Sequence, residues 1–545
     1  MRIFTNLAVF ASAAVVFQAF FTPSSQFVQY KRNRIESTFL QSWRDYVSNG
    51  WDADVYRPLS KKGSYMYGST EKPLGWIIVD SIDSMFLMYN SSAHHREEFK
   101  AEILRVEHWI KTKLDYDIDV SVSLFETTIR MLGGLLSAYY LSDLLGVGNS
   151  TLYLEKATDL ADRMLPAFHH ENAKIPYSSV NLHTGESRKN HVDMGSSSTA
   201  EFTTLQLEFK YLSAITGDVK YWKEVEKVYK PLYEENNLID RYDGLVPIYT
   251  NPDTARFWGN NIRLGSRGDS FYEYLLKQYL QSDEHLYYEL YRESIEGVKR
   301  HLISRSKPNG LVYIGEKENG LNGGLSSKMD HLVCFMGGLI AMGATEGWPI
   351  TEARKQNFWD AEREEDWNLA QDLTYTCYQM YHQIPSGLSP EIVVFNDGLN
   401  GETGSWWQSR EGDFFVKPAD AHNLQRPETV ESLMFLYHLT KDSKYRDWGW
   451  EIFQSFKIHS GVQCKYTDSE CAYTCLKNVL ANPPTRSDNV ESFWYAETLK
   501  YLHLLFQDNV DLRSMVFNTE AHPFPVITPE QTQNGALLNT GWELA

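Results

Sequence analysis

The sequence predicts an all-α fold, an (α/α)7 barrel in which seven inner helices are enclosed by seven outer helices, with small β-hairpin insertions. Two kinds of helical segment alternate along the 545 residues, and this alternation carries the prediction. One kind is amphipathic, and the other is apolar on every side and must therefore be buried. Two separate helical domains are disfavoured, because no linker rich in proline, serine or glycine divides the chain.

The amphipathic segments predict the outer ring. In segment 283–303 apolar residues recur at steps of three and four: Tyr287, Tyr291, Ile295, Val298 and Leu302. The charged residues Glu284 and Lys299 are expected to point away from this stripe. Six similar segments complete the predicted ring, at about 36–48, 94–114, 151–168, 218–235, 362–382 and 442–458.

The segments that are apolar all round predict the inner ring. Each begins with an acidic residue or a histidine, within 79–83, 125–128, 200–204, 268–271, 329–332, 426–431 and 490–493. The inner helices of a toroid run parallel, so these heads are expected to converge on one cavity. Carboxylates gathered in this way repel one another, and such a cluster persists where a cation or a function holds it together.

Glu126 and Arg130 stand one turn apart at the head of the second apolar helix. An acid at a helix start is also stabilised by the helix dipole, by roughly 0.3–1 kcal/mol, so Glu126 alone would indicate little. The convergence of several acidic heads favours a functional cavity. The glycine pairs 133–134 and 337–338 lie inside helices, which predicts close helix packing rather than phosphate binding.

The first 34 residues are predicted to form a membrane anchor and a short polar stem, and residues 35–545 the barrel domain. Residues 3–21 are mostly apolar and carry no charge, which is long enough to span a bilayer. A cleaved signal peptide is the alternative, and the flanking charges do not decide the orientation. Sequons at Asn90 and Asn149 predict N-glycosylation in a lumenal compartment.

Composition excludes some functions. The net charge of −19 and the lack of a basic run argue against nucleic-acid binding. The 33 Tyr, 27 Phe and 15 Trp are compatible with a sugar-binding cleft. The five cysteines form no CxxC pair, so a zinc site is not expected, and an odd number leaves at least one unpaired in an oxidising lumen: Cys334, Cys377, Cys464, Cys471 and Cys475.

Paired carboxylates in a cavity that accepts sugars are the usual means of glycoside hydrolysis. The turn at 517–523 offers a second feature, since a threonine hydroxyl and its carbonyl can hold a hard cation with waters completing the shell. The carboxylates of Glu428, Glu431, Glu497 and Glu520 could anchor those waters. Taken alone, the motif is better explained as a capped turn without metal. Residues 392–395 followed by Asn396-Asp397-Gly398 predict a small hairpin.

Long strings of the sequence resemble the class I α-1,2-mannosidases, glycoside hydrolase family 47, from about residue 35 to 526. They are FETTIRMLGGLLSAY, GSRGDSFYEYLLKQYL, KMDHLVCFMGG, LQRPETVES, ESFWYAETLKYL and FNTEAHPFP. The resemblance implies an (α/α)7 barrel and an inverting, calcium-dependent hydrolase. Its substrate would be the terminal α-1,2-linked mannose of N-linked high-mannose glycans.

The resemblance also implies roles for single residues. Glu126 matches the family's general acid, acting through a water, and Asp269 and Glu428 match two further catalytic acids. The base is either Asp269 or Glu428, and we favour Glu428. Thr519 matches the calcium ligand. Substrate-binding positions are matched by six residues: Arg130, Glu201, Arg267, Arg426, Phe493 and Glu497.

Arg267 matches an arginine of the endoplasmic-reticulum members, in which trimming stops after one mannose, from nine mannoses to the eight-mannose B isomer. Cys334 and Cys377 match a family disulfide, whereas the pairing of Cys464, Cys471 and Cys475 stays open. Membrane members of the family are type II, which implies a lumenal barrel domain anchored in the endoplasmic-reticulum membrane, and we expect a monomer. The alternative function is a lectin-like quality-control factor that binds mannose glycans on the same barrel without turnover.

Overall fold

The computed structural model describes residues 23–70, 72–398, 412–462, 471–528 and 542. These residues contain seven outer helical elements, as predicted. Two of them are composite, because a 3-10 turn (Leu165–Phe168) extends the third and the fourth is broken into two helices. The outer elements are Pro23–Asn49, Arg96–Thr112, Ser150–Met164, Val219–Glu226 with Tyr229–Asn236, His285–His301, Ala361–His382 and Ser443–His459.

Seven inner elements alternate with them in the described chain, again as predicted. They are Trp76–Ser91; Leu124–Glu126 with the π-helix Thr127–Leu132 and Gly133–Leu145; Thr199–Thr203 with Gln206–Thr216; Asp269–Ser282; the 3-10 helix His331–Phe335 with Met336–Thr345; Glu428–Thr440; and the π-helix Trp494–Thr498 with Leu499–Leu505. Each packs on its neighbours, and the seventh packs on the first, so the ring closes. Shorter helices outside the rings are Leu238–Tyr242, Ile350–Ala353 and the 3-10 turn Pro418–Asp420.

Side-chain burial follows the predicted periodicities. All five apolar stripe residues of the fifth outer helix are buried, and the inner helix Met336–Thr345 is buried along its whole length. Glu284 is an exception to the prediction, because it is buried with its carboxylate 2.6 Å from the Lys210 ammonium. Lys210, on the third inner helix, compensates the desolvation of this acid. The periodicity of the sequence does not predict such a partner.

The glycine pairs allow the inner helices to approach one another closely, as predicted. A Cβ on Gly134 would lie 2.5 Å from the carbonyl oxygen of Val79 in the first inner helix. A Cβ on Gly337 would lie 2.2 Å from the Thr374 hydroxyl of the neighbouring outer helix. A side chain at Gly134 would therefore push two inner helices apart, and one at Gly337 would push an inner helix from an outer one.

The strands are short, antiparallel insertions between helices. Three-stranded sheets join Ser121–Ser123, Ser179–Asn181 and Ser187–Arg188, and Lys328–Asp330, Ile392–Phe395 and Phe414–Phe415. Two-stranded sheets pair Val55–Arg57 with Lys62–Ser64, Ser197–Ser198 with Tyr249–Thr250, Ile303–Arg305 with Val312–Ile314, Gly461–Val462 with Ala472–Tyr473, Leu476–Asn478 with Thr485–Arg486, and Met515–Phe517 with Pro523–Pro525.

The hairpin predicted after residue 395 has a different shape from the one expected. The strand Ile392–Phe395 forms, but its later partner begins only at Phe414, with Val394 opposite Phe415. The same strand also pairs with Lys328–Asp330 on its other side, so it is the centre of a sheet rather than one arm of a tight hairpin. The Asn-Asp-Gly signal marks the end of the strand but does not turn the chain directly into the next one.

The last hairpin lies inside the inner ring. Met515–Phe517 packs on the fourth inner helix and Pro523–Pro525 on the second, while the Phe524 ring stacks on Tyr211 of the third at 5.3 Å between centroids. The turn between its strands, residues 518–522, therefore lies on the barrel axis. This placement brings Thr519 and Glu520 to the same end as the heads of the inner helices.

The predicted boundary at residue 34 falls inside the helix Pro23–Asn49, so the predicted stem is helical and continuous with the barrel. The apolar run 3–21 lies outside the described residues, and none of the described helices has the length and hydropathy of a membrane span. Asn90 and Asn149 are exposed. The Cys334–Cys377 disulfide is confirmed. Cys471 is disulfide-bonded and Cys475 is a buried thiol, while Cys464 lies outside the described residues.

Candidate active site

A cavity of about 310 Å³ lies at the N-terminal ends of the inner helices. It gathers side chains that are hundreds of residues apart in the chain. All twelve residues that the sequence predicted for the site line it: Glu126, Arg130, Glu201, Arg267, Asp269, Arg426, Glu428, Glu431, Phe493, Glu497, Thr519 and Glu520. The expected convergence of acidic heads is thus confirmed for the second, third, fourth and sixth inner helices.

The prediction is wrong for the acidic residues at the other three heads. Asp80, Asp330 and Glu491 do not line the cavity, although Leu332 and Phe493 from two of these heads do. Asp80 is fully buried behind the cavity wall. The rotation of each helix about its own axis decides which head residue faces the cavity, and residue spacing in the sequence does not reveal that rotation.

Sequence reasoning missed Glu273, which lines the cavity one turn after Asp269 on the same helix. Its carboxylate pairs with the Lys277 ammonium. The four-residue step from Asp269 could have identified it, because residues four apart share a helix face. Several apolar and hydroxyl side chains complete the lining: Phe125, Ile129, Ala200, Leu332, Phe335, Pro427, Ser198, Ser266 and Ser270.

Glu126 and Arg130 are positioned by a π-helical turn. The Ser123 hydroxyl accepts a hydrogen bond from the Glu126 amide at 3.2 Å and so starts the helix. The Arg130 Nε donates to Glu126 Oε2 at 2.9 Å, and its Nη1 donates to Glu520 Oε2 at 2.5 Å. Arg130 therefore joins the second inner helix to the axial turn. π-Helical turns are rare and occur often at functional sites.

Phe493 lies just before a second π-helical turn, Trp494–Thr498. Its ring is 5.7 Å from the guanidinium carbon of Arg130 and 5.7 Å from that of Arg426, so two cations flank one aromatic side chain. The Arg426 guanidinium is held in turn by Glu391 Oε1 at 2.6 Å. These contacts fix the ring at the cavity wall, where an aromatic face suits the C–H face of a sugar.

Glu428 is the first residue of the sixth inner helix, and its Oε2 lies 2.6 Å from His331 Nδ1. The other ring nitrogen of His331 lies 2.9 Å from the Tyr381 hydroxyl, which fixes the imidazole. Burial by itself would raise the pKa of Glu428. The hydrogen bond and charge of His331, together with the charge of Arg426, outweigh that effect, so the pKa lies below its ordinary value. Glu428 is therefore ionised and able to accept a proton.

The neighbouring acids behave in the opposite way. Burial, with added repulsion from Glu273 and Glu428, raises the pKa of Asp269 to about 7. Burial also raises the pKa of Glu431 and that of Glu520 to about 8 each, and that of Glu497 in the same direction. These four residues and Glu428 are called the cavity carboxylates below. They contain more negative charge than the surrounding cations neutralise, so several of them hold protons near neutral pH.

The axial turn presents oxygen atoms to the cavity. Asn518 organises it, since its Oδ1 accepts hydrogen bonds from the amides of Glu520 at 2.9 Å and His522 at 2.8 Å. Ala521 takes the left-handed conformation with a φ of 60°, which closes the turn. Neither the hydroxyl nor the carbonyl oxygen of Thr519 has a hydrogen-bond partner among the described residues. Within the same residues, no group of three or more His, Cys, Asp or Glu side chains forms a metal cage.

A buried carboxylate cluster, formed by Asp80, Asp83, His522 and Lys500, supports this turn from behind. His522 Nδ1 lies 2.7 Å from Asp83 and its Nε2 3.1 Å from Asp80, while the Lys500 ammonium lies 2.8 Å from Asp83. Although burial opposes it, His522 and the charge of Arg130 lower the pKa of Asp80, and Lys500 and His522 lower that of Asp83. The pKa of His522 is raised by the two aspartates. Gly133 makes room, since a Cβ there would lie 2.9 Å from the His522 ring.

Arg267 lies at the edge of the cavity in a left-handed backbone conformation, with a φ of 78°. Its guanidinium carbon is 5.2 Å from the Tyr249 ring, and its Nη2 lies 3.2 Å from Asp193 Oδ2. Asp193 also accepts a hydrogen bond from the Tyr249 hydroxyl at 2.9 Å. A strained residue held by two partners has a fixed side chain, which suits discrimination between branches of a ligand.

An α/α barrel with an acid-lined cavity, an aromatic wall and both an ionised and several protonated carboxyls defines a glycoside hydrolase. Comparison with known proteins specifies the family. Residues 38–526 match the family described as Glycosyl hydrolase family 47, and the chain belongs to that family.

Relatives agree over nearly the whole chain. The endoplasmic reticulum mannosyl-oligosaccharide 1,2-alpha-mannosidase of Saccharomyces cerevisiae is 60% identical over 515 residues, covering 94% of this chain and 93% of that protein. The Homo sapiens protein with the same description is 42% identical, covering 92% of this chain and 65% of that protein. The solved structure of an alpha-1,2-mannosidase from Trichoderma reesei is 26% identical with a TM-score of 0.78, covering 91% of this chain and 99% of that one.

Proposed function

We propose that this protein hydrolyses terminal α-1,2-linked mannose from N-linked high-mannose glycans with inversion at the anomeric carbon. The names of its relatives support this substrate. The observation that carries the proposal is that Glu126, Asp269 and Glu428 line one cavity together with Phe493. Catalytic carboxyls and a sugar-stacking ring are thus available to the same bound mannose.

The charge states of the carboxyls favour Glu428 over Asp269 as the base. Glu428, kept ionised by His331, takes a proton from a water molecule that attacks C1 of the terminal mannose. The bond between C1 and the glycosidic oxygen breaks, and Glu126 supplies the proton to that oxygen, through a water. The negative charge that remains on the cavity carboxylates stabilises the oxocarbenium-like charge of the transition state. Asp269, whose pKa is about 7, suits a protonated role better than that of the base.

Calcium fits the floor of the cavity. The two oxygen atoms of Thr519 are hard ligands, and Glu428, Glu431, Glu497 and Glu520 line the same cavity and could hold the waters of its shell. When bound, the ion would neutralise part of the negative charge and polarise sugar hydroxyls. The shortage of positive charge among the cavity carboxylates supports this assignment, and the lack of a direct carboxylate cage agrees with a water-filled shell.

Digestion of a purified nine-mannose glycan, with and without EDTA, tests the activity. Free mannose is expected without the chelator, and it should disappear with EDTA and return with added calcium. Proton NMR at the start of the reaction should show β-mannose, and α-mannose would contradict inversion. If the glycan binds but no mannose is released under any condition, the lectin-like alternative is correct.

We further propose that trimming stops at the eight-mannose B isomer because the fixed Arg267 side chain accepts one branch of the glycan. In the same digestion Arg267→Leu should give products smaller than eight mannoses. Asp253→Asn, which removes a neighbouring ion pair with Lys189 outside the cavity lining, should leave the product unchanged. An eight-mannose end product from Arg267→Leu would remove this residue from specificity.

We propose that residues 3–21 anchor the protein in the endoplasmic-reticulum membrane as a type II protein, with a monomeric barrel in the lumen. The apolar run, the exposed sequons and the names of the relatives support this location. Retention in the membrane pellet after alkaline carbonate treatment checks the anchor. A mass shift with an endoglycosidase checks that Asn90 and Asn149 reach the lumen.

A further inference from the structure

The first outer helix begins close in the sequence to the apolar N-terminal run. The run ends at Phe21, and the described helix begins at Pro23. The helix is already packed on the barrel at Lys31. Its ammonium lies 5.3 Å from the Trp450 ring of the seventh outer helix and 5.4 Å from the Phe506 ring.

The direction of this helix places its start at the end of the barrel opposite the cavity. Ser42 accepts a hydrogen bond from the Trp494 indole at 3.1 Å, at the head of the seventh inner helix, next to Phe493 of the cavity wall. Lys31, eleven residues earlier, contacts Phe506, which follows the C-terminal end of that inner helix. The two helices therefore run antiparallel, and Pro23 lies farthest from the cavity.

Two aromatic side chains are exposed in the first two turns of this helix. Phe27 is 54% exposed and Tyr30 is 52% exposed. Their ring centroids are 6.4 Å apart, and the Tyr30 ring meets the Trp450 ring edge-on at 6.4 Å. Because a helix rises about 1.5 Å per residue, Phe27 lies only about 6 Å along the axis from Pro23. Aromatic side chains at this distance from a membrane span are typical of the headgroup region, where tyrosine and tryptophan concentrate.

We infer that the edge formed by Phe27, Tyr30 and Trp450 is a lipid-contacting surface that seats the barrel on the bilayer with its cavity facing away from it. The inference rests on the proposed N-terminal anchor. The contact is confined to this edge, because two sequons at the same end of the barrel need room for glycans: Asn90 lies in the last turn of the first inner helix, and Asn149 follows the end of the second.

The helix also sets the height of the cavity above the membrane. Residues 30–42 span about 18 Å at about 1.5 Å per residue. Ser42 is level with the cavity wall, since it is bonded to Trp494 next to Phe493. A cavity at this height faces glycans that project into the lumen.

Site-specific fluorescence quenching tests the surface in the full chain reconstituted in phosphatidylcholine vesicles. Cysteine would be introduced singly by Phe27→Cys or Tyr30→Cys and labelled with an environment-sensitive fluorophore. The matched control is Trp258→Cys, since Trp258 is 52% exposed but bonded to Tyr249 beside Arg267 at the cavity end. Cys475, the free thiol among the described residues, is buried and does not compete for label.

Lipids carrying a nitroxide at the headgroup should quench the labels at 27 and 30 several-fold more than the label at 258. Equal quenching at all three positions, in protein that resists carbonate extraction, would overturn the surface while leaving the anchor intact. Protein that is released by carbonate would overturn the anchor itself, and the lipid-contacting surface with it. Trimming of a free glycan should be the same in all three labelled variants, because none of these residues lines the cavity.

Discussion

The cavity carboxylates and the buried carboxylate cluster lie next to each other, yet their charges are balanced differently. Burial raises the pKa of Asp269 to about 7 and that of Glu431 to about 8, whereas Asp80 and Asp83 have lowered pKa values at complete burial. Desolvation acts on all four, so burial does not explain the difference. Asp83 is paired with Lys500 and His522, and Asp80 with His522 and Arg130. The cavity acids share too few cations.

The comparison distinguishes buried acids that stabilise the fold from buried acids that serve the reaction. A buried cluster whose charges are all paired is stable without a ligand and holds its elements together, here the first inner helix, the seventh and the axial turn. A cluster that lacks positive charge is stabilised by protons, a metal ion or a developing cation in a substrate. Local repulsion of this kind lowers stability and is retained where it serves chemistry.

The largest expected effect is that of Glu428→Gln on turnover. Glutamine keeps the shape and a hydrogen bond to His331 but cannot take a proton, so kcat should fall by about 10²–10⁴-fold. Mannose release measures kcat, and glycan binding by calorimetry should change far less. Wild-type turnover in this variant would make Asp269 the base.

Asp83→Asn should break the buried carboxylate cluster without touching the cavity lining. The change leaves Lys500 and His522 short of negative charge in a fully buried site, which costs about 3–5 kcal/mol of unfolding free energy. Urea denaturation measures the loss. The control Asp447→Asn removes a carboxylate that is 65% exposed in its pair with Lys31, and it should shift stability by less than about 0.5 kcal/mol. If the two changes lowered the unfolding free energy equally, the buried carboxylate cluster would contribute no more to stability than an exposed ion pair.

Calcium should stabilise the fold through the cavity alone. At a free concentration about 100-fold above Kd, a ligand of the native state adds about 2.7 kcal/mol, which a rise in Tm reports. Thr519→Val removes one of the two proposed oxygen ligands and should abolish most of that rise. The apo variant should melt close to the apo wild type, because the hydroxyl has no hydrogen-bond partner among the described residues. A calcium-dependent Tm that Thr519→Val leaves intact would place the ion elsewhere.

Glu36 extends the comparison to a buried acid that belongs neither to the cavity carboxylates nor to the buried carboxylate cluster. The Ser92 hydroxyl donates to its Oε2 at 2.6 Å, while Arg32 and His503 stand 3.8 and 3.6 Å from its Oε1. Burial raises the pKa of Glu36 to about 7, from 4.5 in the unfolded chain. Because the folded pKa is the higher one, its contribution to stability is complete below pH 4.5 and is lost as the pH rises to about 7.

The loss has a slope of at most about 1.4 kcal/mol per pH unit. Denaturation of the wild type and of Glu36→Gln across pH 4–8 measures it. The variant should lack this component of the pH dependence and should therefore gain on the wild type as the pH rises. Parallel stability curves for the two proteins would show that Glu36 is ionised in the native state.

Much of the fold followed from periodicity, because an amphipathic helix and a helix buried all round leave different patterns in one sequence. All fourteen ring elements appear where the patterns placed them. The sequence failed where tertiary partners override local pattern. Glu284 is buried beside Lys210, 74 residues away, and the strand at 392–395 finds its neighbours at 328–330 and 414–415 rather than in the next turn.

The twelve predicted site residues all line one cavity. They could be predicted because the sequence segments that contain them are long enough to identify the family. The ring of helices, the residue types at their heads and the family can therefore be predicted from the sequence alone. The charge of each acid depends on partners that the fold brings together: Glu428 on His331, 97 residues earlier, and Asp83 on His522, 439 residues later. A pKa responds to burial and to charges within a few ångströms in a medium of low dielectric constant, and neither is a property of spacing along the chain.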